Sequence, residues 1–104
     1  MLHSFGGSGD GEYPVAGLIN VKGTLYSTTL SGPHDFCGGP GCGTVFSITT
    51  SGAATVLYRF KGHSYGRKDG AHPEAGLINV NGTLYGTTNI GGVNGYGAVF
   101  SLSL

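Results

Sequence analysis

The strongest constraint on the fold is that the chain states most of itself twice. Its 104 residues hold three blocks that recur in the same order. "LHSFGG" at 2–7 returns as "LYRFKG" at 57–62, and "GTVFSI" at 43–48 returns as "GAVFSL" at 97–102. Between them "DGEYPVAGLINVKGTLYSTT" at 10–29 returns as "DGAHPEAGLINVNGTLYGTT" at 69–88, identical at fifteen of twenty positions. The offsets are 55, 59 and 54 residues, so the second copy is four residues longer before its Asp-Gly and five shorter before its last block. Repetition at this period marks an architecture of stacked equivalent units, each unable to bury its own apolar face.

Each block reads as strand. "TLYGTT", "GTVFSI" and "ATVLYRF" are rich in β-branched and aromatic residues, and Gly- and Asn-containing turns bound them. Helical periodicity is absent. The predicted unit has four short strands: A around Gly17–Asn20, B at Thr24–Thr29, C at Gly43–Ile48 and D at Ala54–Phe60. Turns A–B and C–D are tight, whereas loops B–C and D–A are long. The expected fold class is therefore all-β, with two four-stranded antiparallel repeats of the size of β-propeller blades. Repeat 1 covers about 2–53 and repeat 2 about 54–104 of a single propeller-forming unit.

The strand order along the chain is D-A-B-C-D-A-B-C, because the N-terminal "LHSF" matches strand D and the chain ends on a strand C. Two blades cannot close a ring, which needs roughly four or more. The expectation is that identical chains close it, Leu2–Phe5 of each pairing with strand C of its neighbour. A homotrimer would give six blades and a homotetramer eight.

Composition narrows the partners. Five basic residues balance five acidic ones and charged residues are only 10% of the chain, so no field draws nucleic acid or an anionic membrane. Hydrophobic residues at 38%, with six Tyr and five Phe, provide core material that disordered chains lack. The 22 glycines follow no G-X-Y period, which excludes collagen and implies many tight turns. No apolar run has membrane-helix length, and "MLHSFGGSGDGEYP" has neither the basic start nor the apolar stretch of a signal peptide. Cys37 and Cys42 enclose "GGPG", where a local disulfide is geometrically feasible and would point to an oxidising compartment. Two thiols with only His34 nearby are a poor zinc site, so no metal and no cofactor are expected.

The blocks "DGEYPVAGL", "GTLYSTT" and "GCGTVFSI", and again "DGAHPEAGL", "GTLYGTT" and "IGGVNGYGAVFSL", resemble the bacterial tandem repeats known as gloeo/verruco repeats over nearly the whole chain. Departures are Ser27 in place of Gly, Ala98 in place of Thr, and the insertion "SGPHDFCGGPGC". The resemblance implies propeller-like repeats in secreted or surface-anchored bacterial proteins, and it carries no agreed activity. The expected location is thus secreted or cell surface, with the export signal absent from this sequence.

Strand order also assigns faces. In an up-and-down blade the B–C and D–A loops share one end of the strands, so both insertions lie on one rim. Binding residues concentrate on such loops. The candidates for ligand binding are Tyr13, His34, Asp35, Phe36, His63, Tyr65, Arg67, His72, Asn94 and Tyr96, set against the simpler reading of each as a solvated or loop-packing residue. Aromatic planes beside Asn, Asp, His and Arg suit sugar rings, which stack on one face and hydrogen-bond at their edges. Tyr13 and His72 stand at equivalent places before Pro14 and Pro73.

Several motifs are better read as structure. "GHSYG" at 62–66 fits the nucleophile-elbow pattern, but no helix follows the strand to strain and expose Ser64. Asp10 and Asp69 are equivalent Asp-Gly turn formers rather than a carboxylate pair across a cleft. The "NGT" at Asn81 lies in an A–B turn, and no "GK[ST]" of a phosphate loop occurs. The leading expectation is a non-enzymatic binding or scaffold module, lectin-like, with no catalytic residue. The alternatives are a glycan hydrolase or lyase using rim acids and histidines, or a structural piece of a longer repeat protein.

Overall fold

A computed structural model describes residues 1–7, 9–32, 41–61, 70–94 and 96–104. Among them there is no helix, and every strand pairs antiparallel. The first repeat forms a four-stranded sheet in simple chain order: β1 (Ile19–Val21), β2 (Thr24–Thr29), β3 (Thr44–Thr49) and β4 (Ala54–Arg59). The second forms a three-stranded sheet of β6 (Ile78–Val80), β7 (Thr83–Thr88) and β9 (Ala98–Ser103). A two-residue ladder joins β5 (Gly70–Ala71) to β8 (Ile90–Gly91). Its first-repeat counterpart is the single bridge between Glu12 and Ser31.

Strands A to D are thus present with boundaries moved by one or two residues. Gly43 is excluded from β3 because its φ of 98° is not a strand conformation. Both β1–β2 and β6–β7 are closed by two-residue turns in which the central residues have positive φ, 54° and 89° at Lys22 and Gly23, 53° and 88° at Asn81 and Gly82. Such turns match the right-handed twist of a hairpin. In each, the preceding Asn adds a bond: Gly23 N donates to Asn20 Oδ1 and Gly82 N to Asn79 Oδ1, at 2.9 and 3.0 Å.

Leu2–Phe5, read as a strand D, is not a strand in the single chain. The strand C of its own repeat, β3, already has both edges occupied, by β2 and β4. The segment nevertheless keeps the contacts of a strand D. His3 and Phe5 pack edge to face at 4.7 Å and 86°, and Phe5 meets Phe46 at 5.1 Å. The equivalents Tyr58 and Phe60 pack at 5.2 Å and 83°, and Phe60 meets Phe100 at 5.0 Å.

The core lies between the two repeats. Val45, Phe60, Leu77 and Leu84 are buried in one cluster with Cys42 and Ala71, and Ile19, Val21, Tyr26, Tyr58, Phe100 and Leu102 pack around it. One face of the first sheet therefore covers the opposite face of the second. Burying these side chains contributes roughly 1.5–3 kcal/mol for each large aliphatic or aromatic group removed from water, which makes the junction between repeats the main source of tertiary stability.

Candidate functional site

The C-terminal end of strand B is held by a clamp that repeats in both units. Thr29, the last residue of "TLYSTT", donates its hydroxyl to Ser31 O at 3.1 Å and accepts from Thr44 N at 3.1 Å, with Thr44 Oγ1 at 2.7 Å. Its equivalent Thr88 donates to Ile90 O and accepts from Ala98 N, at 3.1 and 3.0 Å. Gly11 and Gly70, the glycines of the two Asp-Gly pairs, lie so close to Thr29 and Thr88 that a Cβ would overlap those side chains. The Asp-Gly glycine and the terminal Thr of "GTLY.TT" are therefore one structural unit, which ties loop D–A to strand B in each repeat.

His72 joins the repeats at this rim. Its backbone N donates to Cys42 O and its ring Nδ1 lies within hydrogen-bond distance of Leu30 O, both at 2.8 Å. Pro73 follows, wholly buried, against Gly43. His72 has φ of 56° and its equivalent Tyr13 has φ of 59°. That left-handed conformation costs a residue with a Cβ about 1–2 kcal/mol. It recurs at Tyr13, whose following Pro14 is exposed rather than packed into another repeat of this chain, so it belongs to the repeat itself.

Of the ten candidate ligand residues, four lie in the described part. His72 is half-buried and bonded across the repeat junction, whereas Tyr13, at 66% exposure, Asn94 and Tyr96, at 91%, project from the surface. Tyr96 borders a cleft of about 300 Å³ with Glu74, Thr87, Thr88 and Asn89. Tyr13 belongs to the first repeat and is not among the residues lining that cleft. His34, Asp35, Phe36, His63, Tyr65 and Arg67 lie outside the described residues, as do Asp69, Ser64 and Cys37. No cysteine among the described residues is a free thiol, and Cys42 is buried in the core cluster. Among the described residues no three His, Cys, Asp or Glu side chains gather as metal ligands, and no helix is long and apolar enough to cross a membrane.

A second cleft, of about 420 Å³, contains residues that sequence reasoning did not single out. It runs between the N-terminal segment and β4, lined by His3, Phe5, Asp10 and Arg59 among others. Asp10 pairs with His3 Nε2 at 2.9 Å through one oxygen and accepts Gly11 N at 2.9 Å through the other. Arg59 Nη2 donates to Gly9 O at 2.9 Å. Apolar ring, carboxylate, imidazole and guanidinium line it together, the composition that binds polar rings with an apolar face. The one available signal was the match of "LHSF" and "DG" with "LYRF" and "DG", which puts residue 3 and residue 10 at equivalent places in both repeats.

The family model described as the Gloeobacter/Verrucomicrobia repeat matches residues 1–104, the whole chain. No curated protein and no solved structure matches it.

Proposed function

The chain belongs to the Gloeobacter/Verrucomicrobia repeat family, and from that premise we propose that it is a non-enzymatic binding or scaffold module of β-propeller type. In this reading its two repeats are successive blades, and three or four identical chains close a six- or eight-bladed ring. The ligand class is carbohydrate, held at the rim of long loops. The observation that supports it is the pairing of the described loop ends, Glu12 with Ser31 and Ala71 with Ile90, beside exposed Tyr13, Asn94 and Tyr96 on a backbone fixed by the Thr29 and Thr88 clamps. A ring repeats such a site several times, and multivalency raises avidity without new contacts. Secretion or surface attachment, and a Cys37–Cys42 disulfide, complete the proposal.

Hydrolysis is the competing chemistry. A glycosidase needs two carboxylates flanking one bond, while Asp10 is, among the described residues, the one carboxylate lining the His3 cleft. A glycan array with the native chain and Tyr96→Ala and Tyr13→Ala variants tests the reading. Retention of a glycan by the native chain, weakened in the variants and without turnover, is the expected result. Release of shortened sugar would overturn it in favour of an enzyme, and the absence of any retention would leave a purely structural repeat.

A further inference from the structure

Resting on the reading that the two repeats are successive blades, we infer that the outer faces of this chain form a head-to-tail interface with a second copy of the same chain. The tail is the face of Ile78, Val80, Tyr85 and Val99; the head is the groove of Leu18, Leu25 and Phe46. The junction inside the chain is the template. There Ile19, Val21, Tyr26 and Val45 of the first repeat pack into the core between repeats, Val45 at 0% exposure. Their equivalents Ile78, Val80, Tyr85 and Val99 are all exposed, Val99 at 77%. On the receiving side the reversal is at one position: Leu77 is 3% exposed and its first-repeat equivalent Leu18 is 53%, whereas Phe46 and Ile48 are already covered at 4% and 6%. Leu18 and Leu25 line an open apolar groove of about 270 Å³ with Phe46 and Ile48. Each face thus carries the residues whose counterparts, one repeat away, already bury one another.

Two further correspondences fix how the copies meet. His72 and Pro73 plug the first repeat between Leu30, Cys42 and Gly43. The equivalent positions in the second repeat are Asn89, Tyr96 and Gly97, of which Asn89 and Tyr96 border the cleft of Glu74 and Thr87. Tyr13 and Pro14 of the second copy are its occupant, and Tyr13 already holds the required φ of 59°. The cleft that looks like a ligand pocket in one chain is then a subunit contact, and Tyr13 of one copy reaches the rim beside Tyr96 of another. The second correspondence is a strand. In the described residues β9 ends its sheet, whereas its equivalent β3 pairs with β4, Val45 opposite Tyr58 and Thr44 opposite Arg59. Transferred one repeat on, Val99 pairs with His3 of the second copy and Ala98 with its Ser4.

An interface of two different faces is heterologous and propagates until it closes; a two-fold dimer would pair like with like. Light scattering and sedimentation at about 50 µM, where a specific interface of this kind is populated, separate the cases. The native 104-residue chain is expected at a multiple of 10.5 kDa. Val99→Asp and Leu18→Asp each bury an unpaired charge only at the junction, and both side chains are exposed in the single chain. Each variant is expected at 10.5 kDa with an unchanged β-sheet circular dichroism spectrum. Mixed in equal amounts they are expected to form a dimer of twice 10.5 kDa, because the intact head of one meets the intact tail of the other. A mixture that stays monomeric, or a Leu18→Asp variant that assembles like the native chain, would overturn the inference. A native chain at 10.5 kDa would also overturn it and leave both faces to further repeats of a longer protein. Assembly is measured without sugar, so a ring that retains no glycan supports this interface and removes only the ligand reading.

Discussion

Val45 and Val99 occupy the same position of two repeats and have opposite surroundings, which makes them a matched pair for perturbation. Replacing Val45 by Ala removes two methyl groups from the junction between the sheets. At roughly 0.8 kcal/mol per buried carbon the transfer loss is about 1.6 kcal/mol, and the residual cavity raises the cost to about 2–3 kcal/mol. Val99→Ala removes the same groups from water-exposed surface, where substitutions fall within about 0.5 kcal/mol. Both variants give up a β-branched strand residue, a change inside the roughly 1 kcal/mol span of strand propensity. The difference between them therefore isolates burial, at about 2 kcal/mol, or roughly 8–16 °C in Tm for a domain of this size. The assay is urea and thermal unfolding followed by far-UV circular dichroism, at a dilution where light scattering gives 10.5 kDa. Equal costs within about 0.5 kcal/mol, the scatter of surface substitutions, would refute the claim that the core lies between the repeats.

Three smaller perturbations follow from the rim. His72→Ala loses the bond across the junction to Leu30 O and is expected to cost about 1 kcal/mol; His72→Gly is expected to recover part of it, since glycine adopts φ of 56° without strain. Gly70→Ala forces a Cβ into Thr88, and a destabilisation of about 1–3 kcal/mol in urea unfolding is expected. Ala98→Thr restores the hydroxyl that Thr44 offers Thr29 at 2.7 Å in the first repeat. A gain of about 0.5–1 kcal/mol, seen as a rise of a few degrees in Tm, is the expected result, and a fall would show that the two clamps are not equivalent.

Strand identity and order were legible because the duplication aligns every short apolar run with a second example of itself. Strand B was placed at Thr24–Thr29, where β2 lies. Boundaries moved where φ, invisible in the letters, decides, as at Gly43. The β5–β8 ladder was missed because two residues carry no periodicity. Leu2–Phe5 was matched to the right strand of the repeat, yet its aromatic contacts form in the single chain and its backbone pairing does not. At the site, spacing marked Tyr13 and His72 as equivalent. It did not show that the ring of His72 is committed to Leu30, because a hydrogen bond between residues 42 apart depends on how the repeats stack. The His3–Asp10 cleft was hidden for the same reason: its walls come from the chain terminus and from β4.

The central claim is that the exposed face of the second repeat and the exposed groove of the first complete each other between copies. Native mass spectrometry of the 104-residue chain tests this most directly. The account predicts a single closed species at three or four times 10.5 kDa, present without ligand and lost in Val99→Asp. A 10.5 kDa monomer at every concentration up to about 100 µM, two decades above a micromolar Kd, would contradict it.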